Sequence, residues 1–354
     1  MLNTNKTNME TFEIIDGVLI LKEGVTEIPF IEDINTITGV VIPSSVMEIE
    51  QETFSGYGSL QKVIISDGVK VIGGGAFKNC ASLEEIVIPS SVTEIGVQAF
   101  AGCSSLEKIV VEEDNPKYDS REECNAIIET ATNKLIVGCK STIIPSSVTE
   151  IGSEAFYNCN TLIKVEIPES VTILGGSAFD RCENLESINI PLGVKKISDG
   201  VFSCCKKLKE IKIPEGVTEI GDHAFYGCVG LTDIVIPSSV KLIGHGAFQE
   251  CNGLTTMIIP ENVTTIGSGI FWDCKSLKEA VIKSNVTELS GTFYGCESLE
   301  SIILPDTLKR ITDKAFFWCV NIKSINIPME LSFGQLVCGR VGCNPIYLDD
   351  ILKK

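Results

Sequence analysis

One aromatic residue recurs along this chain at a nearly fixed spacing. Eleven of its 15 phenylalanines follow one another in steps of 23 residues, apart from one step of 22 and one of 56. A period of about 20 to 50 residues is typical of solenoids, in which each repeat forms one coil and buries its apolar side chains against the next coil. The chain is therefore predicted to be one repeat array rather than several globular domains. The recurring phenylalanines are at positions 54, 77, 100, 156, 179, 202, 225, 248, 271, 293 and 316.

Each repeat carries two short apolar phrases. The phrase Leu-x-x-Ile-x-Ile, as in Leu83, Ile86 and Ile88, ends in period-two alternation and predicts a short strand, so that stacked repeats would form a parallel sheet. The phrase Val-x-x-Ile-Gly, as in Val92 and Ile95, precedes Ala-Phe-x-x-Cys and is too short for a free-standing helix. It predicts a strand or extended turn followed by a helical turn. Proline follows the sheet strand in ten repeats, where it would end strand pairing.

These repeats resemble the BspA-like, treponemal class of leucine-rich repeat proteins, whose units also read Ile-Pro-x-x-Val-x-x-Ile-Gly-x-x-Ala-Phe-x-x-Cys-x-x-Leu-x-x-Ile. The resemblance covers about residues 25–328. It implies a mainly β repeat solenoid, a right-handed leucine-rich repeat superhelix with a parallel concave sheet, and short strands and single helical turns on the convex side. It also implies a non-catalytic protein-interaction or adhesion role, often at the surface of host-associated microbes.

The segments that do not follow the 23-residue period indicate where the solenoid begins, ends and carries an insertion. Residues 1–24 are predicted to form an N-terminal cap hairpin, 25–328 a solenoid of about 11 to 12 coils, and 329–354 a C-terminal cap, since terminal coils otherwise expose their apolar faces. The long step contains an insertion at 112–144. Its two apolar phrases around the polar link 130–133 predict a β-hairpin. We expect an oversized coil that shares the solenoid core, with a dedicated ligand loop as the alternative.

The 15 cysteines follow the repeat rather than a metal or disulfide pattern. Cysteine in a repeated packing position behaves as a small hydrophobe whose thiol can meet the carbonyls of a turn, so free buried thiols are predicted. Cys204 and Cys205 are adjacent and Cys338 and Cys343 are too far apart for a zinc-binding pair; the latter two are the best disulfide candidates. Ten cysteines occupy one column three residues after the phenylalanine: 80, 103, 159, 182, 205, 228, 251, 274, 296 and 319.

No constellation for catalysis is evident. His223 and His245 fall on the variable turn before the phenylalanine and are expected to be solvated. Gly73, Gly74 and Gly75 lack the Lys-Ser/Thr of a phosphate-binding loop. The recurrent glutamates have no fixed pairing of the kind that glycoside hydrolysis needs. We therefore predict no catalytic, cofactor-binding or metal-binding residues, and no cofactor.

Charge limits the classes of partner. The chain has 29 Lys+Arg against 47 Asp+Glu, a net charge of −18, and no basic cluster, which argues against nucleic acid and anionic membrane surfaces. No apolar run approaches the ~20 residues of a membrane span, and the first residues do not read as a secretory signal. The resemblance implies a cell-surface or secreted protein, whereas a ladder of free cysteines is also compatible with the cytoplasm. Localisation stays open at this point.

The residue between the two isoleucines of each strand should face solvent on the concave side. Two explanations of its aliphatic residues stay open: β-propensity alone, since valine and isoleucine suit any strand position, and a contact stripe, because contiguous exposed apolar surface usually marks a partner site. A polar rim is predicted at Asp233, Thr256, Glu279 and Ser301. The aliphatic members of the stripe are Ile64, Val87, Val110, Val235, Ile258, Val281 and Ile303.

Three classes of function are compatible with these features. The favoured one is an interaction module that binds a protein partner on the concave sheet, with a host or cell-surface protein as one candidate. A structural, self-assembling solenoid is the second, and an enzyme is a remote third. The sequence does not fix the oligomeric state.

Overall fold

The computed structural model describes residues 11–312, 314–326, 328 and 332–333. The chain forms two compact units, Met1–Pro168 and Glu169–Lys354, called the N-terminal and C-terminal units below. Each unit is a mainly β repeat solenoid with parallel sheets, so the predicted fold class is confirmed. Two short 3-10 helices, Ile34–Thr36 and Arg121–Glu123, are the helical segments of the described residues.

The N-terminal unit begins with an antiparallel hairpin, β1–β2, and β2 then pairs parallel with β3. One sheet has the order β1-β2-β3-β5-β7-β9 and a second the order β4-β6-β8. The two sheets correspond to the two apolar phrases of the repeat. The strands of this unit are β1 (Phe12–Ile15), β2 (Val18–Leu21), β3 (Gly39–Ile42), β4 (Glu48–Ile49), β5 (Lys62–Ile65), β6 (Val71–Ile72), β7 (Glu85–Ile88), β8 (Glu94–Ile95), β9 (Lys108–Val111), β10 (Tyr118–Asp119), β11 (Ala126–Glu129), β12 (Lys134–Gly138), β13 (Glu150–Ile151) and β14 (Lys164–Val165).

The insertion contains an antiparallel hairpin, β11–β12, whose turn spans residues 130–133. Strand β12 pairs parallel with β13, Leu135 opposite Ile151, so the repeat resumes directly from the hairpin. Tyr118, Ile127 and Val137 are buried in the same hydrophobic core as the preceding coils. The inserted residues therefore extend the solenoid interior of the N-terminal unit.

The C-terminal unit repeats the two-phrase pattern. Its sheets have the orders β17-β18-β19-β21, β20-β22-β24-β26 and β23-β25-β27. The predicted C-terminal cap at 329–354 lies outside the described residues apart from β27, and so do Cys338 and Cys343. The strands are β15 (Ile173–Leu174), β16 (Ser187–Ile188), β17 (Lys196–Ile197), β18 (Glu219–Ile220), β19 (Leu242–Ile243), β20 (Thr256–Ile259), β21 (Thr265–Ile266), β22 (Glu279–Ile282), β23 (Glu288–Ser290), β24 (Ser301–Ile303), β25 (Arg310–Thr312), β26 (Ser324–Ile325) and β27 (Ser332–Phe333).

The segment around each recurring phenylalanine takes tight turns in place of the expected helical turn. In the coil of Phe248, Gly246 and Glu250 both have positive φ, 56° and 60°. The Phe248 N–H donates to the Ile270 carbonyl of the next coil at 3.0 Å, while the Cys251 N–H donates to the Phe248 carbonyl at 3.2 Å. Two left-handed residues in one turn interrupt the α conformation. The freed N–H groups join neighbouring coils instead of continuing a helix.

The phenylalanines form a stacked ladder in the interior of each unit. In the N-terminal unit the Phe77 ring lies 5.3 and 5.5 Å from those of its two neighbours in the ladder, measured between ring centroids. In the C-terminal unit the corresponding distances for Phe225 are 5.6 and 5.4 Å. Both side chains are fully buried. Stacked rings of this kind contribute beyond their apolar area and fix the alignment of successive coils.

The cysteine column forms a second ladder beside the rings. Eight of its thiols donate the S–H to the carbonyl oxygen of the phenylalanine one coil earlier, at sulfur–oxygen distances of 2.9 to 3.3 Å. The thirteen cysteines among the described residues are free, and the predicted thiol–carbonyl contact is confirmed. The thiols that make this bond are Cys80, Cys103, Cys205, Cys228, Cys251, Cys274, Cys296 and Cys319.

Candidate functional site

The candidate site is the surface formed by the Leu-x-x-Ile-x-Ile strands, called the strand face below. In β20, Met257 and Ile259 are buried while Ile258 between them is 53% exposed. This alternation follows from the pleat, which points successive side chains to opposite sides of the sheet. The residue between Met257 and Ile259 of β20 therefore faces solvent, as the sequence predicted.

The structure places the predicted stripe residues on this face with different exposures. In the N-terminal unit Ile64 and Val87 are exposed and Val110 is half-buried. In the C-terminal unit the exposed fractions are highest, 72% for Val235 and 54% for Ile303. Val281 is half-buried. Of the predicted rim residues, Asp233, Thr256 and Glu279 are exposed and Ser301 is half-buried.

Three members of the stripe lie on adjacent hydrogen-bonded strands. Ile258 is opposite Val281 in the pairing of β20 with β22, and Val281 is opposite Ile303 in the pairing of β22 with β24. The Leu-x-x-Ile-x-Ile phrase predicts a strand in every repeat, and for the repeat that contains Val235 this is wrong. Residues 233–236 form no strand and keep a single parallel bridge, between Asp233 and Glu210.

The charge pattern along this column differs between the two units. Glu210 and Asp233 occupy equivalent positions in successive coils, so two exposed carboxylates face each other across the bridge. Like charges directly opposite each other destabilise strand pairing. In the N-terminal unit the same column alternates in sign: Glu85 pairs with Lys62 on one side and with Lys108 on the other. The Glu85 carboxylate and the Lys108 ammonium lie 2.6 Å apart, and these strands are four residues long.

A groove of about 780 Å³ opens on the strand face where the pairing is interrupted. Its wall includes Leu192, which is 68% exposed, and the exposed Val235. Lys212 and Asp233 supply charges of opposite sign within the groove. Sequence reasoning did not predict the groove. The available signal was the pair of acidic residues, 23 positions apart, in a column that alternates in sign at Lys62, Glu85 and Lys108.

The remaining candidate residues for catalysis or metal binding do not form a site among the described residues. His245 accepts the Ser268 N–H at Nδ1 (3.0 Å), and its carbonyl accepts the His223 N–H (2.8 Å), so both histidines serve the stacking of turns. Among the described residues, no group of three or more His, Cys, Asp or Glu is arranged to hold a metal ion. None of the helical segments in the described part of the chain is long and apolar enough to cross a bilayer.

Comparison with known proteins identifies the class of repeat. The chain matches the BspA-type leucine-rich repeat family at residues 30–135, 127–252 and 218–336. The chain belongs to this family, as the sequence motif predicted. A comparison with curated proteins gives no match.

Solved bacterial structures share the fold. A leucine-rich repeat protein from Bacteroides ovatus is 26% identical, with 91% of this chain and 88% of that chain covered and a TM-score of 0.53. One from Eubacterium ventriosum is 21% identical, with coverage of 92% and 96% and a TM-score of 0.61. A leucine-rich cell surface protein from Faecalibacterium prausnitzii is 24% identical, with coverage of 89% and 96% and a TM-score of 0.50. These likenesses support a leucine-rich repeat solenoid for both units.

Proposed function

We propose that this chain is a non-catalytic interaction scaffold that binds a protein partner on the strand face of the C-terminal unit. The proposed contact surface is the groove together with the aliphatic column and its polar rim. The observation that carries the proposal is the aliphatic column on paired strands β20, β22 and β24, exposed at Ile258 and Ile303 and half-buried at Val281, together with the exposed Val235 in the groove wall one coil earlier. Exposed apolar surface bordered by polar residues is typical of partner sites.

The alternative explanation is that valine and isoleucine occupy the column because they suit strands. Unequal use of the column favours a contact role: Glu166, Asn189 and Lys212 occupy it in coils of the same repeat, so the fold does not require an aliphatic residue there. Threonine keeps β-propensity while it removes apolar area. Replacement by threonine therefore separates the two explanations.

The charge of the surface indicates the chemistry of the partner. The groove is lined by Glu210, Glu215 and Asp233 against one lysine, Lys212, and the whole chain carries −18. A partner surface that is neutral or basic fits this surface better than an acidic one. Association should slow as ionic strength rises, because screening weakens long-range steering. Capture of a basic partner at a rate that is independent of salt would contradict this part of the proposal.

The testing experiment is affinity capture with the intact chain and two matched variants. The first variant carries Val235→Thr, Ile258→Thr, Val281→Thr and Ile303→Thr. The control carries Met47→Thr, Val97→Thr, Ile143→Thr and Ile173→Thr, which remove exposed aliphatic area away from this surface. We expect the partner affinity of the first variant to fall by about tenfold or more and that of the control to stay within about twofold. Equal affinity of the folded first variant and the parent would refute the contact surface.

Self-assembly is a distinct outcome of the same variants. A second copy of the chain could cover the aliphatic column, in which case sedimentation of the parent alone would show a concentration-dependent oligomer that the first variant lacks. We place the interaction with a different protein first, because a surface with net negative charge repels its own copy.

We extend the proposal to a location at the cell surface. The Faecalibacterium neighbour is described as a cell surface protein, and the family resemblance implies the same setting and an adhesion role. Protease treatment of intact cells tests this: loss of the full-length chain without lysis is the expected result, and its survival until lysis would contradict a surface location.

A further inference from the structure

A patch of aromatic side chains lies on the turns of the C-terminal unit, away from the strand face. Trp272, Tyr294 and Phe317 each follow the buried ladder phenylalanine in successive coils, and Trp318 is next to Phe317. The Trp272 and Tyr294 ring centroids are 4.6 Å apart, and those of Tyr294 and Phe317 are 5.4 Å apart. The Trp318 ring meets Phe317 edge to face at 5.6 Å. These four residues are called the aromatic patch below.

The repeat itself does not demand aromatic residues at these positions. Equivalent positions in other coils hold a tyrosine twice, Tyr157 and Tyr226, and a non-aromatic residue in the rest: Ser55, Lys78, Ala101, Asp180, Ser203 and Gln249. Aromatic residues make up only 6% of the chain, yet both of its tryptophans belong to the patch. Each tryptophan is 41% exposed, in contrast to the fully buried ladder phenylalanines beneath. Exposed tryptophan is unusual on a surface with no partner and is the residue type most enriched at binding hot spots.

Carboxylates border the aromatic patch. Asp273 lies in the same column as Trp318, and Gly295 occupies the position between them. The Asp273 carboxylate lies over Gly295 and occupies the space that a Cβ there would need. Burial raises the pKa of the Asp273 carboxyl, the charge of Lys275 opposes that rise, and the negative charges of Glu250 and Glu297 add to it. An incoming cation would relieve this repulsion.

One cation of the chain already lies over the patch. The Lys314 ammonium is 5.5 Å from the centroid of the Phe317 ring. A cation over the face of an aromatic ring is attracted by the ring quadrupole, and arginine is the cation most often found in such contacts. The patch thus combines the two features that recognise a cationic side chain, aromatic faces and nearby carboxylates.

We propose that the aromatic patch binds arginine or lysine side chains of a basic segment of a protein partner. The planar guanidinium stacks on tryptophan or tyrosine while its N–H groups donate to the Asp273 carboxylate. This binding surface is separate from the strand-face surface and does not depend on it. A neutral polysaccharide or a lipid surface would use the rings without the carboxylates, and the test separates these ligands.

Intrinsic fluorescence tests the proposal directly, because both tryptophans that emit belong to the patch. The full-length chain is titrated with a hexa-arginine peptide at physiological ionic strength. We expect a saturable change in tryptophan emission. Asp273→Asn, which keeps the side-chain shape, should weaken binding by about tenfold. The control Glu84→Gln removes the same charge from an exposed site of the N-terminal unit and should change the affinity by less than about twofold.

A second pair of variants distinguishes loss of the aromatic ring from loss of the folded structure. Trp318→Phe keeps an aromatic face and should retain binding, whereas Trp318→Ser should lose most of it, with circular dichroism unchanged in both. Equal affinity of Asp273→Asn, Trp318→Ser and the parent would overturn the proposal, since hexa-arginine would then follow the overall negative charge. A change in emission with cellohexaose or with phosphatidylglycerol vesicles, but not with hexa-arginine, would also overturn it.

Discussion

The Leu-x-x-Ile-x-Ile segments at 62–111 in the N-terminal unit and at 187–237 in the C-terminal unit have the same kind of interior but differ at the surface. Each such segment is called a row below. The first set forms four-residue strands in which Glu85 faces a lysine on each side. The second set keeps the two-residue β16 and one isolated bridge between Glu210 and Asp233, and opens into the groove. In both, the ladder phenylalanines and thiols are buried. The same buried ladders are therefore compatible with long paired strands and with an interrupted sheet, and we expect charge in the exposed column to contribute to this difference.

The largest effect should come from alkaline pH, which acts on the interior common to both regions. Burial raises the pKa of the Cys274 thiol to about 12 and that of Cys159 to about 12, and it raises the pKa of Cys205, Cys228 and Cys251 as well. An unfolded thiol titrates near pH 8.5, so above that value the unfolded state loses protons that the folded state retains. Stability is therefore unaffected below about pH 8 and falls as pH rises toward 12, by roughly 1.4 kcal/mol per pH unit for each such thiol.

Urea unfolding at pH 7.5, 9.5 and 10.5 measures this dependence. Because several thiols titrate together, we expect the urea midpoint to drop steeply between pH 9.5 and 10.5. A midpoint that is constant from pH 7.5 to pH 10.5 would show that burial does not raise the pKa of these thiols.

Counting the reactive thiols tests whether the ladder cysteines are free and buried. Among the described cysteines Cys204 is the one that is half-buried, and the others are buried. We expect at least ten reactive thiols in denaturant without reductant and few in the native protein, with the fastest removed by Cys204→Ser. A denatured count of five or fewer would contradict a ladder of free thiols.

Truncation of the ring ladder should have the next largest effect and should be equal in the two regions. Phe77→Ala and Phe225→Ala each remove a fully buried ring that stacks on both sides. Each should lower the free energy of unfolding of its own unit by about 3–5 kcal/mol. Hydrogen exchange of the surrounding coils, together with urea unfolding, gives both values. A much smaller cost for Phe225→Ala would mean that the groove region is loosened in its core as well as at its surface.

Exchanging the surface charges should give the smallest effect and tests the comparison itself. Asp233→Lys places opposite charges across the bridge to Glu210, and should raise the free energy of unfolding by about 0.2–1 kcal/mol and slow amide exchange at 211–213 and 234–236. The reciprocal variant Lys108→Glu places a like charge opposite Glu85 and should do the reverse at 85–88 and 108–111. If neither variant alters exchange in its own rows, charge does not control the pairing.

Sequence predicted most of the interior because each interior contact repeats at one spacing. A single column of phenylalanine and one of cysteine was sufficient to predict the stacking, and period-two alternation identified the outward position of Ile258. The turn conformation was not predictable in the same way, since residues as different as Glu250 and Gly246 adopt positive φ. The groove depends on a pair of charges in two coils, and the aromatic patch on side chains of three coils. Such features appear only when columns are compared across coils.

Hydrogen exchange on the complex with the captured partner tests the proposed binding surface most directly. Amide exchange of the free chain is compared with that of the complex, row by row. We predict that new protection is concentrated at 210–215, 233–237, 256–259 and 279–282, and that the rows at 62–65 and 85–88 exchange as in the free chain. Protection confined to the N-terminal unit, with rates at 210–237 and 256–282 unchanged, would contradict a partner site on the strand face of the C-terminal unit.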